Sequence, residues 1–432
     1  EVLPLVGLGN RETAHNAPSL PSPIQNGVME VDVQKQNFCG TCGARDAPLK
    51  CPCKAIFYCN TECQRVSWKQ HRKECTFDLE RKLEKDRGRI GRDDPHIAMA
   101  CHELGQLYLR QDRFSDAEEK YLEAIRMIVG ESPADGDGNE AVADMSSDLG
   151  VIYDRQGRPD DALLMHRRSL RIYRRALGDE NENVADSLNH VAAALMHKGK
   201  EDRAMIKFKE AHAMYLRLLG EDHPKVALVL VNMAAALHGL GNFGEALAME
   251  AKVLEIDRRI LGPEHDQVAK SLFNLGQSYA QLGMSKFALE RLEEGIEIVR
   301  RNHPEKNALE GKFLYIIGIV YHDQGRLEDA LVRFKKAYRI YRKTVGAESV
   351  DSGMVLAEIG LTLRKQGKAE EALEKFDESL EITRQALGND HPKVAAGLHK
   401  KALGMVDIGD VAGAVVLLRE AQSIYRKRGI SH

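Results

Sequence analysis

The chain lacks several features that would place it among membrane, disulfide-rich or nucleic-acid-binding proteins. It has no run of about 18 apolar residues, so no transmembrane helix is predicted. Its formal net charge is −3 with 29% charged residues, and this balance gives no overall argument for nucleic acid as a partner. Outside residues 39–75 the only cysteine is Cys101, so a disulfide network along the chain is excluded. These absences predict an intracellular protein, cytoplasmic or nuclear, without a membrane segment.

The cysteines that are present form a dense cluster. Seven of the eight lie with His71 in this order: Cys39-x2-Cys42, Cys51-x-Cys53, Cys59-x3-Cys63 and His71-x3-Cys75. Structural zinc takes four Cys or His ligands, usually in pairs a few residues apart, so eight ligands predict two tetrahedral zinc ions. The odd number of cysteines argues against disulfides. Residues 1–36 hold a short apolar patch but lack the basic flank of a secretory signal, so export to a compartment where disulfides form is not predicted either. Because the protein fills every coordination position, the predicted zinc is structural.

The residues between these ligands resemble the second half of a MYND zinc finger: Tyr58-Cys59-x3-Cys63-Gln64-x3-Trp68-x2-His71-x3-Cys75. In that family alternating ligand pairs hold two zinc ions. The resemblance implies one ion on Cys39, Cys42, Cys59 and Cys63, and a second ion on Cys51, Cys53, His71 and Cys75. Spacing alone equally allows two sequential sites. One departure from the family is that only Pro52 separates Cys51 from Cys53, where two residues are usual.

A RING finger is the alternative for this segment, but the spacing of Cys59 and Cys63 and the late His71 disfavour it. MYND fingers resemble one another in binding short proline-rich peptides, which implies a peptide-docking surface around Gln64 and Trp68. The other interpretation of Trp68 is packing between the two zinc sites, because aromatic side chains mostly serve cores. The basic cluster beside Trp68 is small and has acidic neighbours, so nucleic acid is not favoured as a partner.

From about residue 96 to residue 428 the chain repeats itself. Seven glycines mark a period of 42 residues: Gly157, Gly199, Gly241, Gly283, Gly325, Gly367 and Gly409. An alanine follows each glycine by five residues, and a small residue such as Gly150 or Ala192 precedes it by seven. The glycine predicts a turn with positive φ after a first helix, and the small residues predict close approach of two helices. Such hairpins must stack to bury their apolar faces.

This order of residues resembles a tetratricopeptide repeat. The 42-residue period and the connectors at 219–227 and 387–395, which read Leu-Gly-x-Asp-His-Pro-Lys-Val-Ala, resemble the kinesin light chain subclass. A first unit with Asp112 in place of the glycine brings the number of repeats to about eight. The predicted fold is mostly α: a disordered tail at 1–36, the MYND-type finger at 37–75, a linker helix (or a flexible tether) at 76–95, and an all-α superhelix of helix-turn-helix repeats at 96–428. Cys101 is predicted to pack in the core.

The resemblance implies a concave groove lined by the first helix of each repeat. Asn189, Asn232 and Asn274 are placed there, and their amides can hold an extended peptide backbone. Acidic residues lie at groove positions of the second and third repeats, and basic and aromatic residues follow in the fifth and sixth: Asp144, Asp148, Asp154, Asp186, then Lys270, Phe273, Lys312 and Tyr315. This gradient predicts a peptide with an acidic segment near the lysines. Ordinary solvated helix faces are the alternative.

The sequence favours a zinc-binding adaptor or scaffold, with protein or peptide partners, over an enzyme. The repeats show no nucleophile beside a base, no phosphate loop and no open metal site. The alternative is a fragment or relative of a MYND-containing lysine methyltransferase, whose catalytic domain has no room between the finger and the repeats. The last helix, from Val411 to Leu418, is apolar on every face, whereas solenoid ends usually carry a polar cap. We therefore predict that a homodimer contact or another partner covers this end.

Overall fold

The structure is a computed structural model that describes two short strands and most of the chain after residue 75. The described residues are 49–50, 57–58, 76–91, 94–130, 139–305 and 307–427. Strand β1 (Leu49–Lys50) pairs with strand β2 (Phe57–Tyr58) in antiparallel register, with Leu49 opposite Tyr58. The predicted tail at 1–36 lies outside the described residues. The eight predicted zinc ligands, Gln64 and Trp68 lie outside them as well.

The rest of the described chain is helical and confirms the predicted repeats. Helix α1 spans Thr76–Ile90. Eight helix pairs follow, each formed by the first and second helix of one repeat: α2 (Pro95–Arg110) and α3 (Phe114–Val129), α4 (Glu140–Arg155) and α5 (Pro159–Leu177), α6 (Glu182–His197) and α7 (Glu201–Leu219), α8 (Pro224–Gly239) and α9 (Phe243–Leu261), α10 (Asp266–Gln281) and α11 (Ser285–Asn302), α12 (Ala308–Asp323) and α13 (Leu327–Thr344), α14 (Val350–Lys365) and α15 (Ala369–Leu387), α16 (Pro392–Asp407) and α17 (Val411–Lys427).

The turn inside each repeat explains the 42-residue glycine pattern. The periodic glycines have positive φ, for example 70° at Gly157 and 85° at Gly409. A side chain disfavours this conformation, so glycine is the default residue there. In the first repeat the turn position holds Asp112 with φ 55°, and aspartate is one of the few other residues that tolerate such a value. The glycines therefore end the first helices as predicted.

The connectors between repeats begin the next helix as the sequence predicts. His223 caps α8 by accepting a hydrogen bond from the backbone amide two residues further on, and Pro224 occupies the first turn. His391 and Pro392 do the same for α16. Proline fits this position because the first amides of a helix have no partner inside the helix. His303 also lies in a connector, at the end of α11, where its backbone amide donates to the Val299 carbonyl.

Small residues let the two helices of a repeat approach closely. A Cβ atom added to Gly318 on α12 would lie 2.5 Å from a ring carbon of Phe334 on α13. At Gly360 on α14 the corresponding distance to Phe376 on α15 is 2.6 Å. Both phenylalanines are fully buried. The aromatic ring of the second helix therefore packs directly on the backbone of the first helix, which is why a larger residue cannot replace the glycine.

Helix α1 packs against the first repeat. Leu83 is buried in the same core as the residues of α2 and α3. Arg87 forms an ion pair with Glu123 of α3 and lies 3.7 Å from the Cys101 sulfur. Gly88 does not end the helix, which continues to Ile90, and a flexible tether is therefore excluded for 76–90. Cys101 is fully buried, as predicted for a core residue.

Candidate functional site

The first helices form the inner surface of the stacked repeats. First helices of successive repeats contact one another, as in α4 with α6, α10 with α12 and α14 with α16. Each second helix instead packs between the first helix of its own repeat and the first helix of the next one. Because a stack curves toward the side on which its elements are closer, the first helices line the concave side. We call this side the inner surface; its residues are the groove positions named from the sequence.

Hydrogen bonds between successive first helices cross the inner surface. The Asn232 side-chain amide donates to Asn189 Oδ1 over 3.0 Å. Ser147 Oγ and His190 Nδ1 lie 3.2 Å apart. Asn189 is only 7% exposed as a result. Two of the three predicted backbone-holding amides are therefore joined to each other, which leaves the Asn189 amino group and the Asn232 carbonyl with remaining capacity.

The acidic residues of the predicted gradient are bonded within the protein. The Tyr121 hydroxyl donates to Asp148 over 2.7 Å, and the Tyr215 hydroxyl donates to Asp186 over 2.5 Å. Tyr173 donates in the same way to Asp144. Burial and the neighbouring carboxylates raise the pKa of these tyrosines well above its usual range. The acidic half of the inner surface is thus part of the helix interfaces, which the sequence alone does not reveal.

Three histidines surround Asp154 and Ser147 on the inner surface. Asp154 lies 3.2 Å from His166 Nε2 and 3.1 Å from His197 Nδ1. Burial works to raise the pKa of Asp154, but the hydrogen bonds to the two histidines outweigh it and lower that pKa to about 2. Burial lowers the pKa of His190 to about 4, with a contribution from nearby His166. The cluster therefore holds a neutral imidazole at His190 at neutral pH.

The basic and aromatic residues of the gradient have two different environments. Lys270 is exposed and Lys312 is partly buried. Phe273 is 4% exposed and packs edge-on against Phe313 with ring centroids 5.2 Å apart, while Tyr315 is 8% exposed. The expectation that Phe273 and Tyr315 stand beside the lysines in the groove is therefore wrong. Both rings point away from the groove and pack against a neighbouring helix, so they are part of the core.

A wider hollow on the inner surface was not predicted from the sequence. It measures about 810 Å³ and lies where α12, α14 and α16 meet, with His322, Lys365 and Lys400 among its lining residues. Lys400 donates to Glu358 over 2.8 Å, and the Lys365 ammonium donates to the His322 carbonyl over 3.1 Å. Glu358 and Lys400 are one period apart and occupy the same position of neighbouring first helices, so aligning the repeats could have found this pair. The ammonium groups of Lys365 and Lys400 are therefore held in place by hydrogen bonds to the preceding repeat.

The far end of the described repeats exposes apolar side chains, as the composition of α17 predicts. Val411 is 57% exposed, Val416 63% and Leu418 40%. One and two periods earlier, the position of Leu418 holds Phe376 and Phe334, which are buried. In those repeats the next first helix completes the packing, for example Gly404 of α16 against Phe376. At Leu418 the surface of α17 is therefore an interface without a following helix among the described residues, whereas Val416 has an equally exposed counterpart inside the stack, Val332.

Strands β1 and β2 lie in the predicted zinc finger, and each directly precedes one of its cysteines. Cys51 directly follows β1 in the sequence and Cys59 directly follows β2. Because the strands are antiparallel, their last residues, Lys50 and Tyr58, lie at opposite ends of the ladder. The donor set of seven thiols and one imidazole has the chemistry of structural zinc. Among the residues that the structure describes there is no cluster of three His, Cys, Asp or Glu suited to a metal ion.

Comparison with known families agrees with this architecture. The MYND finger model matches residues 39–75. Tetratricopeptide repeat models match residues 100–132 and 142–183, and a further one matches 183–259, 226–301, 310–374 and 351–427. The chain therefore belongs to the tetratricopeptide repeat family, and a MYND finger, a zinc-binding module, precedes its repeats. None of the helices in the described part of the chain is long and apolar enough to cross a membrane.

Solved structures show the same kind of helical stack. The apo form of RapI is 17% identical, with a TM-score of 0.54 over 67% of this chain and 99% of that one. A signal transduction ATPase with a tetratricopeptide repeat sensor from Pyrococcus horikoshii is 16% identical, with a TM-score of 0.51 over 74% and 52%. Nearly identical repeats of a putative kinesin light chain from Podosopora anserina are 20% identical, with a TM-score of 0.42 over 48% and 99%. For the first two structures, at these identities, the likeness shows the fold alone.

Proposed function

We propose that the protein is an adaptor whose inner surface binds an extended peptide segment of a partner protein. The observation that carries this proposal is the inner surface, along which first helices of successive repeats contact one another and polar side chains such as Asn189 and Asn232 bridge them. A concave surface of this length suits an extended chain, because each repeat adds one short stretch of contact. The protein acts by binding and not by catalysis.

The contacts within the inner surface indicate where the peptide lies. The carboxylates of Asp144, Asp148 and Asp186 already accept hydrogen bonds from tyrosines, so they are poor ligands for a basic peptide segment. Lys270 is exposed at the inner surface and lies one period from Lys312. We therefore place an acidic segment of the peptide at the fifth and sixth repeats. The same carboxylates give little support for a basic peptide segment at the first repeats.

The amides lie next to this region on the fourth and fifth repeats. Asn232 keeps its carbonyl oxygen available after it donates to Asn189. Asn274, on the first helix of the next repeat, is partly buried. Backbone amides of an extended peptide are donors that satisfy such acceptors without reading the peptide sequence. Affinity then comes from the backbone and from the lysines together.

A fluorescent hexaglutamate peptide bound to the full chain tests this proposal by anisotropy. Lys270→Glu should weaken binding about tenfold, since it replaces an attraction with a repulsion at one contact. The matched control is Lys252→Glu, which makes the same charge change on an exposed lysine of the second helix α9. Asn232→Ala combined with Asn274→Ala should also weaken binding. Equal effects of Lys270→Glu and Lys252→Glu would show that the inner surface is not the binding site.

For the finger, we propose two structural zinc ions held by interleaved ligand pairs. One ion takes Cys39, Cys42, Cys59 and Cys63, and the other takes Cys51, Cys53, His71 and Cys75. The ends of β1 and β2 support this arrangement, because the pairs that begin at Cys51 and at Cys59 leave opposite ends of the ladder. The bound zinc supplies folding free energy and keeps a docking surface around Gln64 and Trp68 in place. We propose short proline-rich peptides as its ligands.

For the exposed end of α17, we propose that a second copy of the chain covers it. The apolar residues Val411 and Leu418 are exposed at positions whose counterparts one period earlier, Ala369 and Phe376, are buried. Two copies that meet through α17 would form a symmetric contact and give each end the missing neighbour. Together, the finger, the inner surface and the end of α17 form a scaffold with separate docking surfaces. When one partner binds two of these surfaces at once, its overall affinity exceeds that of either contact alone.

A further inference from the structure

The exposed faces of the second helices form the outer surface of the stack, where most basic residues near the helix ends pair with a neighbouring repeat. One series of ion pairs joins an arginine to a glutamate on the next second helix, 36 residues later: Arg174 with Glu210, Arg258 with Glu294, and Arg384 with Glu420. A second series joins a basic residue to an acidic residue of the connector before its own repeat, 37 residues earlier: Arg217 with Glu180, Arg259 with Asp222, Arg301 with Glu264, and Lys427 with Asp390. Basic residues at these ends therefore serve the contact between repeats.

The sixth repeat interrupts both series, and each time a lysine replaces the acidic residue. Lys336 stands one period after Glu294, and the position one period after Glu264 also holds a lysine. Lys336 still lies 3.9 Å from Glu310, but that carboxylate already pairs with Arg300 over 2.8 Å. The acceptors that other repeats supply to their basic residues are therefore replaced by like charges at helix α13.

Helix α13 consequently presents a basic face to its surroundings. Five basic residues lie within an arc of about 120° on this helix. All five are exposed: Lys335, Lys336, Arg339, Arg342 and Lys343. Lys335, Arg339 and Lys343 pair with no acidic residue in the described part of the chain. Arg342 lies 5.7 Å from the ring centroid of Tyr338 on the same helix. We call these five residues the α13 basic face.

The same five positions are basic in one other repeat, the second, four periods earlier on α5: Arg167, Arg168, Arg171, Arg174 and Arg175. There the protein itself supplies acidic partners, because Arg174 pairs with Asp179 and Glu210. The remaining second helices have at most three basic residues at these positions. Five basic residues are therefore not a general property of the repeat, and the sixth repeat has the more open of the two faces.

The helices on either side limit the shape of a partner for the α13 basic face. Both carry exposed carboxylates at the positions of Lys335 and Arg339: Glu293 and Glu297 on α11, Asp377 and Glu381 on α15. A lipid surface or a nucleic-acid duplex is wider than one helix, so its phosphates would also approach these carboxylates. An anionic partner that is only as wide as a helix, about 10 Å, can lie along α13 without this repulsion.

The spacing of the charges matches a second helix. Lys335, Arg339 and Arg342 lie at intervals of four and three residues, which places them in one row along the axis. From Lys335 to Lys343 this row extends about 12 Å, or roughly two helical turns. At its beginning Val332 is 63% exposed and provides an apolar contact. A helix with carboxylates at the same intervals is complementary to this row in both charge and length.

We infer that the α13 basic face binds an acidic helical segment of a partner protein. The segment lies along α13 on the outer surface, with carboxylates three and four residues apart facing Lys335, Arg339 and Arg342. This contact goes beyond the proposed function, because it uses the opposite side of the stack and requires no peptide on the inner surface.

The test uses a fluorescent peptide of about 20 residues, a length that allows a helix in water. Its glutamates stand three and four residues apart on one face, with alanine and glutamine elsewhere. Anisotropy with the full chain should give a dissociation constant on the order of 100 μM, since each exposed ion pair contributes little. A peptide of the same composition with its glutamates spread around the helix should bind about fivefold more weakly.

Variants of the chain locate the contact. Lys335→Glu and Arg339→Glu should each weaken binding of the helical peptide about tenfold, because an attraction becomes a repulsion. The matched control is Lys209→Glu, which makes the same change at the same position three repeats earlier, on an exposed lysine of α7. It should leave the affinity unchanged. Carbodiimide joins carboxylates to lysine amines, so mass spectrometry should find the peptide coupled to lysines of the α13 basic face.

Four results would overturn the inference. The first is an equal effect of Lys335→Glu and Lys209→Glu, and the second is coupling of the peptide at Lys270 or Lys312 instead of α13. The third is tighter binding of phosphatidylserine vesicles or of a short DNA duplex that Lys335→Glu abolishes, which would assign the face to phosphates. The fourth is self-association of the chain that the same variant abolishes, which would assign the face to a second copy.

The outcome is independent of the proposed function. Lys270→Glu should leave binding of the helical peptide unchanged, while it weakens binding of hexaglutamate, which is too short for a stable helix. If hexaglutamate depends on Lys270 and the helical peptide fails to bind, the inference about α13 falls and the proposed function stands. If only the helical peptide binds and depends on Lys335, the reverse holds.

Discussion

The Tyr215 hydroxyl donates to Asp186 over 2.5 Å and so joins the second helix of the third repeat to its first helix. Asp186 also accepts a hydrogen bond of 2.6 Å from Lys225 at the start of the fourth repeat. One carboxylate thereby connects three helices in two repeats. The same residue is a groove position in the sequence, so a residue that looks available for ligands is part of the interface between repeats.

Tyr215→Phe should therefore destabilise the chain by about 1–3 kcal/mol, because a hydrogen bond to a charged group is lost in a buried place. Urea unfolding followed by circular dichroism measures this change. The control is Tyr279→Phe, since the Tyr279 ring stacks on Phe287 and its hydroxyl has no hydrogen bond with a described residue. Equal loss of stability in the two variants would contradict the assigned role of the Tyr215 hydroxyl.

Gly318→Ala should destabilise the sixth repeat by about 1–3 kcal/mol, because the new methyl group would lie 2.5 Å from a carbon of buried Phe334. Gly88→Ala is the matched control: it lies within helix α1, and an added Cβ meets no atom within 4 Å. There the same change should stabilise by about 0.5–1 kcal/mol through helix propensity. Opposite signs in thermal unfolding are the expected result, and two losses of similar size would argue against close helix approach at Gly318.

Acid should destabilise the repeats in two steps. The pKa of His190 is lowered from 6.5 to about 4, so between these values the unfolded chain binds a proton that the folded chain does not. Stability therefore falls as pH falls through this window, by at most about 1.4 kcal/mol per pH unit for this group. The carboxyl of Asp154, with its pKa at about 2, adds a further loss below pH 3.8.

His190→Gln should remove the part of the slope in the free energy of unfolding between pH 6.5 and pH 4 that His190 contributes, measured with urea at several pH values, while His212 and His322, whose pKa values burial also lowers, keep their own contributions. Val191→Ala is the control, since it removes buried apolar atoms from the neighbouring position and binds no proton. That variant should be less stable at every pH with the slope unchanged. An unaltered slope in His190→Gln would refute the assignment to this histidine.

Native mass spectrometry should find two zinc ions on the full chain, as proposed for the finger. Cys51→Ser should lose one ion and keep the other, because a structural site with three remaining strong ligands binds zinc much more weakly. Cys101→Ser is the control: Cys101 is buried in the first repeat, far along the chain from the finger, and both ions should remain. A single ion on the unaltered chain would disprove the two-ion arrangement.

Val416→Glu should convert a dimer to a monomer if a second copy covers the exposed end of α17. Sedimentation velocity at several concentrations measures the change. Val332→Glu is the control, because Val332 is also 63% exposed and lies two periods earlier on α13. A monomeric unaltered chain at high concentration would rule out the homodimer.

The repeat architecture could be predicted from the sequence because it depends on local rules. Glycine at a turn with positive φ, as at Gly157, and proline in a first helical turn, as at Pro224, are conformational requirements of single positions. A period of 42 then repeats the same hairpin, and stacking follows from its apolar faces. The MYND finger could likewise be recognised from the residues between its cysteines, and the match of the MYND finger model to residues 39–75 confirms it, while the individual zinc ligands stay a prediction.

The sequence does not predict correctly which side chains face the inner surface, and the reason is geometric. Phe273 and Tyr315 have groove positions in the helical pattern, yet they turn into the contact with the following helix and are buried. A helical period gives the face of a residue, but the crossing of the next helix decides whether that face is open. For the same reason the aspartates of the predicted acidic gradient proved to be partners of tyrosines on other helices.

The sequence by itself determined the helix pairs, their turns and the presence of a MYND finger, because these depend on residues close together in the chain. Only the tertiary structure decided which polar groups remain open and where an interface is left unfilled. Lys343 illustrates the difference: in the sequence it is one basic residue at a periodic position, and in the fold it is a charge without an acidic partner in the described part of the chain. Whether such a charge is neutralised depends on residues of the neighbouring connector and helices, as for Arg259 with Asp222, which come together only when the repeats are stacked.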